Sequence, residues 1–401
     1  MLPSPLPAEH PMWLEQALNS ALDKLDNAHH RRRLRQVAMP GTQLVMRDGR
    51  RLIDASSNDY LGLSQHPALK SRAIEWVQRF GAGARASRLV TGTLEEMITL
   101  EAQLAAFKGT QAALIFNSGF QANATVLPAL FNLAGGREAL VFTDALNHSS
   151  LHAGCRAAGV KQIQFRHNDV AHLDELLTQH AQGRPAFIVT ESVFSMDGDR
   201  ADVAAFSALA MHHGAVLYLD EAHASGVIGP QGRGLAYGLH DSNPSTVIMG
   251  TLGKAFGAAG AYIAGSQALI DYLVNRCTGI IYSTAPPPAA CGAVQAALEL
   301  MPHLDAERAL LAQRGNALRE RLAALGIDTL QSTTQIIPAV LGSEAAALAA
   351  QKRLEDCGVL AVAMRPPTVP AGGCRLRFSL SSALPDTAFA QLLDAVSVLK
   401  A

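Results

Sequence analysis

The chain has 401 residues, with 33 Lys and Arg against 34 Asp and Glu, a formal charge of −1, and 49% apolar against 17% charged residues. So even a balance gives no electrostatic reason to expect nucleic acid or an anionic membrane as partner, and the length exceeds what one small core organises. The five cysteines show no C-x-x-C spacing, which excludes a disulfide framework or a structural zinc site and fits a reducing, cytoplasmic compartment.

In chain order, "MLPSPLPAEHPMW" has neither a basic start nor an apolar run, so no signal peptide is expected. The first 60 residues read as an N-terminal helix and an extended arm; the basic run "HHRRRLR" (29–35) reads as a solvated helix face. "GAGARAS" (81–87) is glycine-rich, but a helical pattern precedes it, so it does not read as a phosphate loop. From residue 112 onwards, short β-type runs alternate with amphipathic stretches. Strands are predicted at 112–116, 139–143, 162–165, 186–190, 215–220 and 246–250. Such alternation predicts an α/β domain, 61–287, with a mainly parallel sheet covered by helices. The uncharged run 277–298 contains three consecutive prolines (286–288) and is no membrane span. Residues 288–401 read as a smaller α+β domain.

Polar residues gather at the carboxyl ends of these strands, where open α/β sheets place their ligands. Ser118, Gly119 and Phe120 follow the first strand and open a helical pattern, a place where free backbone N–H groups bind phosphate. His148 follows the second, and Glu191 and Ser195 follow the fourth. Asp220 and His223 end the fifth, and Thr251 and Lys254 the sixth, in "TLGKAFG". A buried aspartate needs a cation and a buried lysine needs neutralising. Pyridoxal 5'-phosphate answers both needs: its aldehyde takes a lysine, its ring nitrogen a carboxylate, its phosphate amides and hydroxyls.

The segments "SSNDYLGLSQHP", "ASRLVTGT", "FNSGFQAN", "VFSMDGD", "DEAHASGVIGPQGRG", "TLGKAFG" and "IYSTAPPP" together resemble the α-oxoamine synthases, a branch of the fold-type I pyridoxal-phosphate enzymes. The resemblance runs from about residue 30 to the end. It implies decarboxylative condensation of an amino acid with an acyl thioester. By the same resemblance, Lys254 carries the cofactor, Asp220 pairs with its ring nitrogen and His148 stacks on the ring. His223 and Ser195 lie near its phenolic oxygen, and Gly119, Phe120 and Thr251 hold it and its phosphate. Ser283 and Thr284 would reach the cofactor of a neighbouring subunit, implying a homodimer with shared sites, while Arg32, Thr368 and Arg377 handle substrate. "MRPPTVPAGGCRLRFSLSS" (364–382), "HND" (167–169) and "SMDGD" are most similar to the members that use L-alanine and a pimeloyl thioester, carried on coenzyme A or on a carrier protein. Glycine-using members are the nearest alternative. A non-catalytic partner subunit would lack Lys254. Arg85 and Ala86 stand in a loop that is normally glycine-rich in the family.

Overall fold

A computed structural model describes residues 12–34, 36–38, 44–47 and 49–400. Residues 1–11, the start read for a signal peptide, and Arg35 lie outside the described residues; the rest of the basic run, read as a helix face, lies past the end of the helix Met12–Asn27 and is not helical. Thirteen strands are described: β1 (Leu44–Arg47), β2 (Arg50–Asp54), β3 (Ala112–Phe116), β4 (Leu140–Asp144), β5 (Gln162–Phe165), β6 (Ala186–Glu191), β7 (Val216–Asp220), β8 (Thr246–Thr251), β9 (Ala261–Gly265), β10 (Ile336–Gly342), β11 (Val359–Leu360), β12 (Val362–Met364) and β13 (Cys374–Ser379).

Seven of them form the central sheet in the order β3-β9-β8-β7-β6-β4-β5, parallel except for β9. Its inner strands β4, β6, β7 and β8 are mainly apolar because both faces are buried, whereas the edge strand β5, Gln-Ile-Gln-Phe, is partly exposed. Successive side chains feed opposite cores: Leu217, Leu219 and Ile248 join one apolar cluster, Tyr218, Val247 and Met249 the other. No strand was predicted at β9. It returns antiparallel beside β8, and the Leu252–Gly260 connection between them carries Lys254.

Chain order reverses at β4: β5 lies to one side, and β6, β7 and β8 step away on the other. A crevice opens at the strand ends on such a reversal. Register aligns Glu191 with Asp220, and Asp220 with Met249, so the polar ends of β6, β7 and β8 stand side by side.

The remaining strands form two small sheets. β10-β13-β12 is antiparallel, and β1-β2 is joined by β11. The arm after β2 is tied to the C-terminal segment: Ser379 N–H donates to Ala55 O (2.8 Å) and Ser382 N–H to Tyr60 O (2.8 Å). The helix Pro67–Phe80, which precedes the glycine-rich loop as its sequence predicts, packs on the helix Pro288–Leu300. Arg85 adopts φ 64°, a conformation that glycine takes without strain and that costs another residue roughly 1–2 kcal/mol. No described helix is long and apolar enough to cross a membrane.

Candidate active site

Lys254 explains the spacing of the glycines around it. The turn is closed by Gly257 N–H to Lys254 O (2.8 Å), Ala258 N–H to Leu252 O (2.9 Å) and Leu252 N–H to Gly260 O (2.9 Å). Gly257 has φ 62°, and a Cβ there would lie 2.5 Å from the Leu63 carbonyl carbon, so only glycine fits. The lysine is half-buried. Its Nζ lies 2.8 Å from His223 Nε2, while His223 Nδ1 lies 2.5 Å from the Tyr60 hydroxyl. Burial pushes the Lys254 ammonium down to about 8; Asp220 and Glu191 oppose the shift and Arg377 adds to it. Burial also holds His223 well below the usual imidazole range, helped by Lys254 and Arg377, so its ring is neutral.

Asp220 closes β7. Asn123 Nδ2 donates to its Oδ2 (2.9 Å) and Ala222 N–H to its Oδ1 (2.9 Å). Asn123 is itself fixed by the Tyr218 hydroxyl (2.7 Å). Beneath, Glu221 pairs with Lys108 at 2.5 Å, both wholly buried, and anchors the strand end. His148 caps the helix Ser149–Ala158. Its backbone N–H donates to Glu191 Oε1 (2.5 Å) and its Nδ1 faces Ser150 Oγ (2.7 Å). Burial, and the neighbouring Asp220 carboxylate, push the Glu191 carboxyl well up.

Gly119, Phe120, His148, Asp220, His223, Thr251 and Lys254 all line one cavity of about 200 Å³, with Asn123, Ser150, Glu191, Ala222 and Met249. At its edge, the helix Gly119–Phe131 begins at Ser118, whose Oγ accepts from Gln121 N–H (3.1 Å). A Cβ on Gly119 would meet Thr251 Cγ2 at 2.7 Å, so glycine lets this helix start close onto the end of β8. The first-turn N–H groups of Gly119 and Phe120 have no intrahelical acceptor.

The other predicted residues lie outside this cavity. Ser195 is buried, and its carbonyl accepts from Arg377 Nε (2.5 Å); Arg377 Nη1 also donates to Asn58 Oδ1 (3.3 Å). Among the described residues no carboxylate pairs with Arg377, which leaves a buried cation held by neutral groups. Ser283 Oγ and Thr284 O accept from Asn117 Nδ2 at 3.2 and 2.8 Å. Arg32 donates to Thr368 Oγ1 (3.2 Å), and the two line a separate pocket of about 480 Å³ with Arg31, Arg33, Arg47 and Arg365. Tyr60, Asn123, Ser150 and Asn58 were not predicted. Tyr60 and Asn58 lie in "SSNDYLGLSQHP" and Asn123 ends "FNSGFQAN", but an uncharged polar residue announces no role until its partner is known.

The donor set fits pyridoxal phosphate: a half-buried amine with lowered pKa, an aldehyde partner; a fixed carboxylate, a ring-nitrogen partner; and a helix start narrowed by Gly119, a phosphate partner. The chain belongs to the aminotransferase class I and II family, whose model matches residues 50–396. Within it, the chain is similar to the 8-amino-7-oxononanoate synthases. It is 55% identical to that of Gluconacetobacter diazotrophicus over 381 residues, 94% of this chain and 95% of the relative. A solved 8-amino-7-oxononanoate synthase from Francisella tularensis superposes with a TM-score of 0.75 at 26% identity, covering 87% of this chain and 97% of that one. A solved serine palmitoyltransferase with PLP superposes with a TM-score of 0.87 at 25% identity over 98% of each chain. The fold is accordingly the fold-type I transferase fold, and its cofactor is pyridoxal phosphate.

Proposed function

We propose that this chain joins L-alanine to a pimeloyl thioester and releases 8-amino-7-oxononanoate, CO2 and the free thiol, a step of biotin biosynthesis. The observation that carries the reading is the Lys254 amine: half-buried, 2.8 Å from a neutral His223, and in one cavity with the Asp220 carboxylate. The named relatives supply the substrates.

Lys254, Asp220, His148, His223, Thr251, Gly119 and Phe120 would hold pyridoxal phosphate. When bound, the cofactor supplies an electron-accepting ring next to the amino acid's α-carbon. The chain's own groups do the rest. With a pKa near 8, a useful fraction of Lys254 is neutral at physiological pH and can take the alanine α-proton onto Nζ. His223 offers one ring nitrogen to Tyr60 and the other to Lys254, so the amine is aimed before it reacts. The Asp220 carboxylate stays ready for a cation because Asn123 and Ala222 fix both of its oxygens. Arg377, buried without an anion, receives the alanine carboxylate; its guanidinium fork suits that group. Arg32 and Thr368, at the arginine-lined pocket, would contact the acyl donor, whether it is carried on coenzyme A or on a carrier protein.

The same reading makes the protein a homodimer in the cytoplasm, with Ser283 and Thr284 reaching the partner's cofactor phosphate. An apolar groove of about 360 Å³, lined by the exposed Leu89 and Ile98 with Ile270, Val274 and Ile280, supports a second copy there. All five cysteines are unpaired, which supports a reducing compartment. For the chain's organisation we keep a large domain, 61–287, and a small one, 288–401, with the N-terminal arm bonded to the latter.

The test is thiol release from pimeloyl-CoA in the presence of L-alanine. Lys254→Ala is expected to lower kcat by roughly 10³-fold or more, because it removes both the cofactor's attachment and the base. Turnover within tenfold of the unaltered enzyme would refute the assignment.

A further inference from the structure

One cluster of charged groups is left outside the mechanism. His167, just after β5, points Nδ1 at Asp144 Oδ1 and Nε2 at Asp199 Oδ2, both at 2.9 Å. Asp144 ends β4, and Asp199 lies in the loop 194–200 that follows β6. His167, Asp197 and Asp199 are spaced as metal ligands could be, but both imidazole nitrogens face carboxylates. A ring in that position carries two N–H donors and has no lone pair for a metal. It is an imidazolium bridge. Burial opposes its charge, yet the bonds to Asp144 and Asp199 outweigh burial and push it up to about 10.

The loop it grips has no slack. Phe194 N–H donates to Asp199 O (3.1 Å), Gly198 N–H to Phe194 O (2.9 Å), and a Cβ on Gly198 would collide with the Ile336 carbonyl. The His167 and Phe194 rings meet edge to face, with centroids 4.4 Å apart and planes at 89°. On its far side the loop is held by the C-terminal segment. Thr333 N–H and Thr334 Oγ1 donate to Gly198 O, at 3.0 and 2.8 Å, and Asp197 pairs with Arg375 at 2.5 Å. Arg375 and Arg377 lie two residues apart on β13, and Arg377 Nε donates to the carbonyl of Ser195 in this same loop. The path from the strand end at Asp144 to the Arg377 guanidinium thus runs through His167 and one rigid loop.

We propose that His167 is a positioning residue for amino-acid binding: by clamping Asp199 to Asp144 it sets the Ser195 carbonyl, which aims Arg377 at the substrate carboxylate. This rests on the reading of Arg377 given above. A guanidinium displaced by a fraction of an ångström loses its paired bonds to a carboxylate. The loss falls on L-alanine, whose carboxylate Arg377 receives, and not on the acyl donor, which the reading above assigns to Arg32 and Thr368.

The experiment is steady-state kinetics of the holoenzyme, varying L-alanine and pimeloyl-CoA separately, for three variants. His167→Gln removes the cation. His167→Gln with Asp199→Asn removes cation and one anion together, so that a buried carboxylate left unpaired does not unfold the loop. Arg377→Lys tests the carboxylate reading itself. The expected result for both His167 variants is a KM for L-alanine raised about tenfold, with kcat and the KM for pimeloyl-CoA within threefold, since misplacement costs binding in proportion to geometry lost. A merely structural role would lower the active fraction, reducing kcat and leaving both KM values unchanged; that result overturns the proposal. If Arg377→Lys raises the L-alanine KM and the His167 variants do not, the proposal falls alone. If Arg377→Lys leaves that KM unchanged as well, the proposal falls together with the reading beneath it.

Discussion

The Lys254 cavity and the arginine-lined pocket differ in how they are built. The first is made at strand ends, and two of its polar groups are buried and doubly fixed: Asp220 by Asn123 and Ala222, His223 by Tyr60 and Lys254. The second is larger, about 480 Å³ against 200 Å³, and lies between the N-terminal arm and β12. Its Arg32 is exposed and tied by bonds to Thr368 Oγ1 (3.2 Å) and Pro366 O (3.5 Å). Rigid, desolvated groups suit the transition state, where geometry governs rate. Long exposed side chains suit the capture of a bulky donor, where charge governs affinity. Substitutions in the two places should therefore fail differently, the first in kcat and the second in KM.

Asp220→Ala is the strongest challenge to that contrast after the lysine itself. It should lower kcat by on the order of 10²–10³-fold, as expected when a preorganised electrostatic partner is removed. A change confined to KM would erase the distinction. Arg32→Ala should raise the KM for pimeloyl-CoA about tenfold at unchanged kcat, the signature of lost uniform binding. A large fall in kcat would move Arg32 into the chemistry.

A smaller effect concerns stability. The folded-state pKa of His167 is raised from 6.5 to about 10. Asp144, Asp199 and Asp197 face it with negative charge, and Arg375 neutralises Asp197. A raised pKa contributes stability that is fully present below 6.5 and is lost as pH rises through 10. Urea denaturation of the native protein should accordingly lose stability over that window relative to His167→Gln. Parallel pH profiles for the two would remove the imidazolium.

Much of the central sheet was legible because buried strands are apolar runs punctuated by turns. The reading stopped one residue early at β4, β6 and β8, which end at Asp144, Glu191 and Thr251. These three are polar yet still in the ladder or at its edge, since the strand end is where the site begins. β9 went unread because its run, "AYIAG", follows a glycine-rich turn with no helix between, so the alternation that marks parallel units is missing. Lys254, Asp220, His148 and His223 stood out by charge at strand ends. Tyr60 comes to His223 from 163 residues away, and Asn123 to Asp220 from 97, separations that no local pattern records. Ser195 was expected near the cofactor's phenolic oxygen; no local pattern records that its backbone carbonyl also accepts from Arg377 Nε, 182 residues away.

The most direct test of the central claim is product analysis by mass spectrometry with pimeloyl-CoA and either L-alanine or glycine. The account predicts 8-amino-7-oxononanoate, CO2 and free thiol in equal amounts from L-alanine, at a rate well above that with glycine. Faster turnover of glycine would contradict the substrate assignment, and thiol release without CO2 would contradict the reaction.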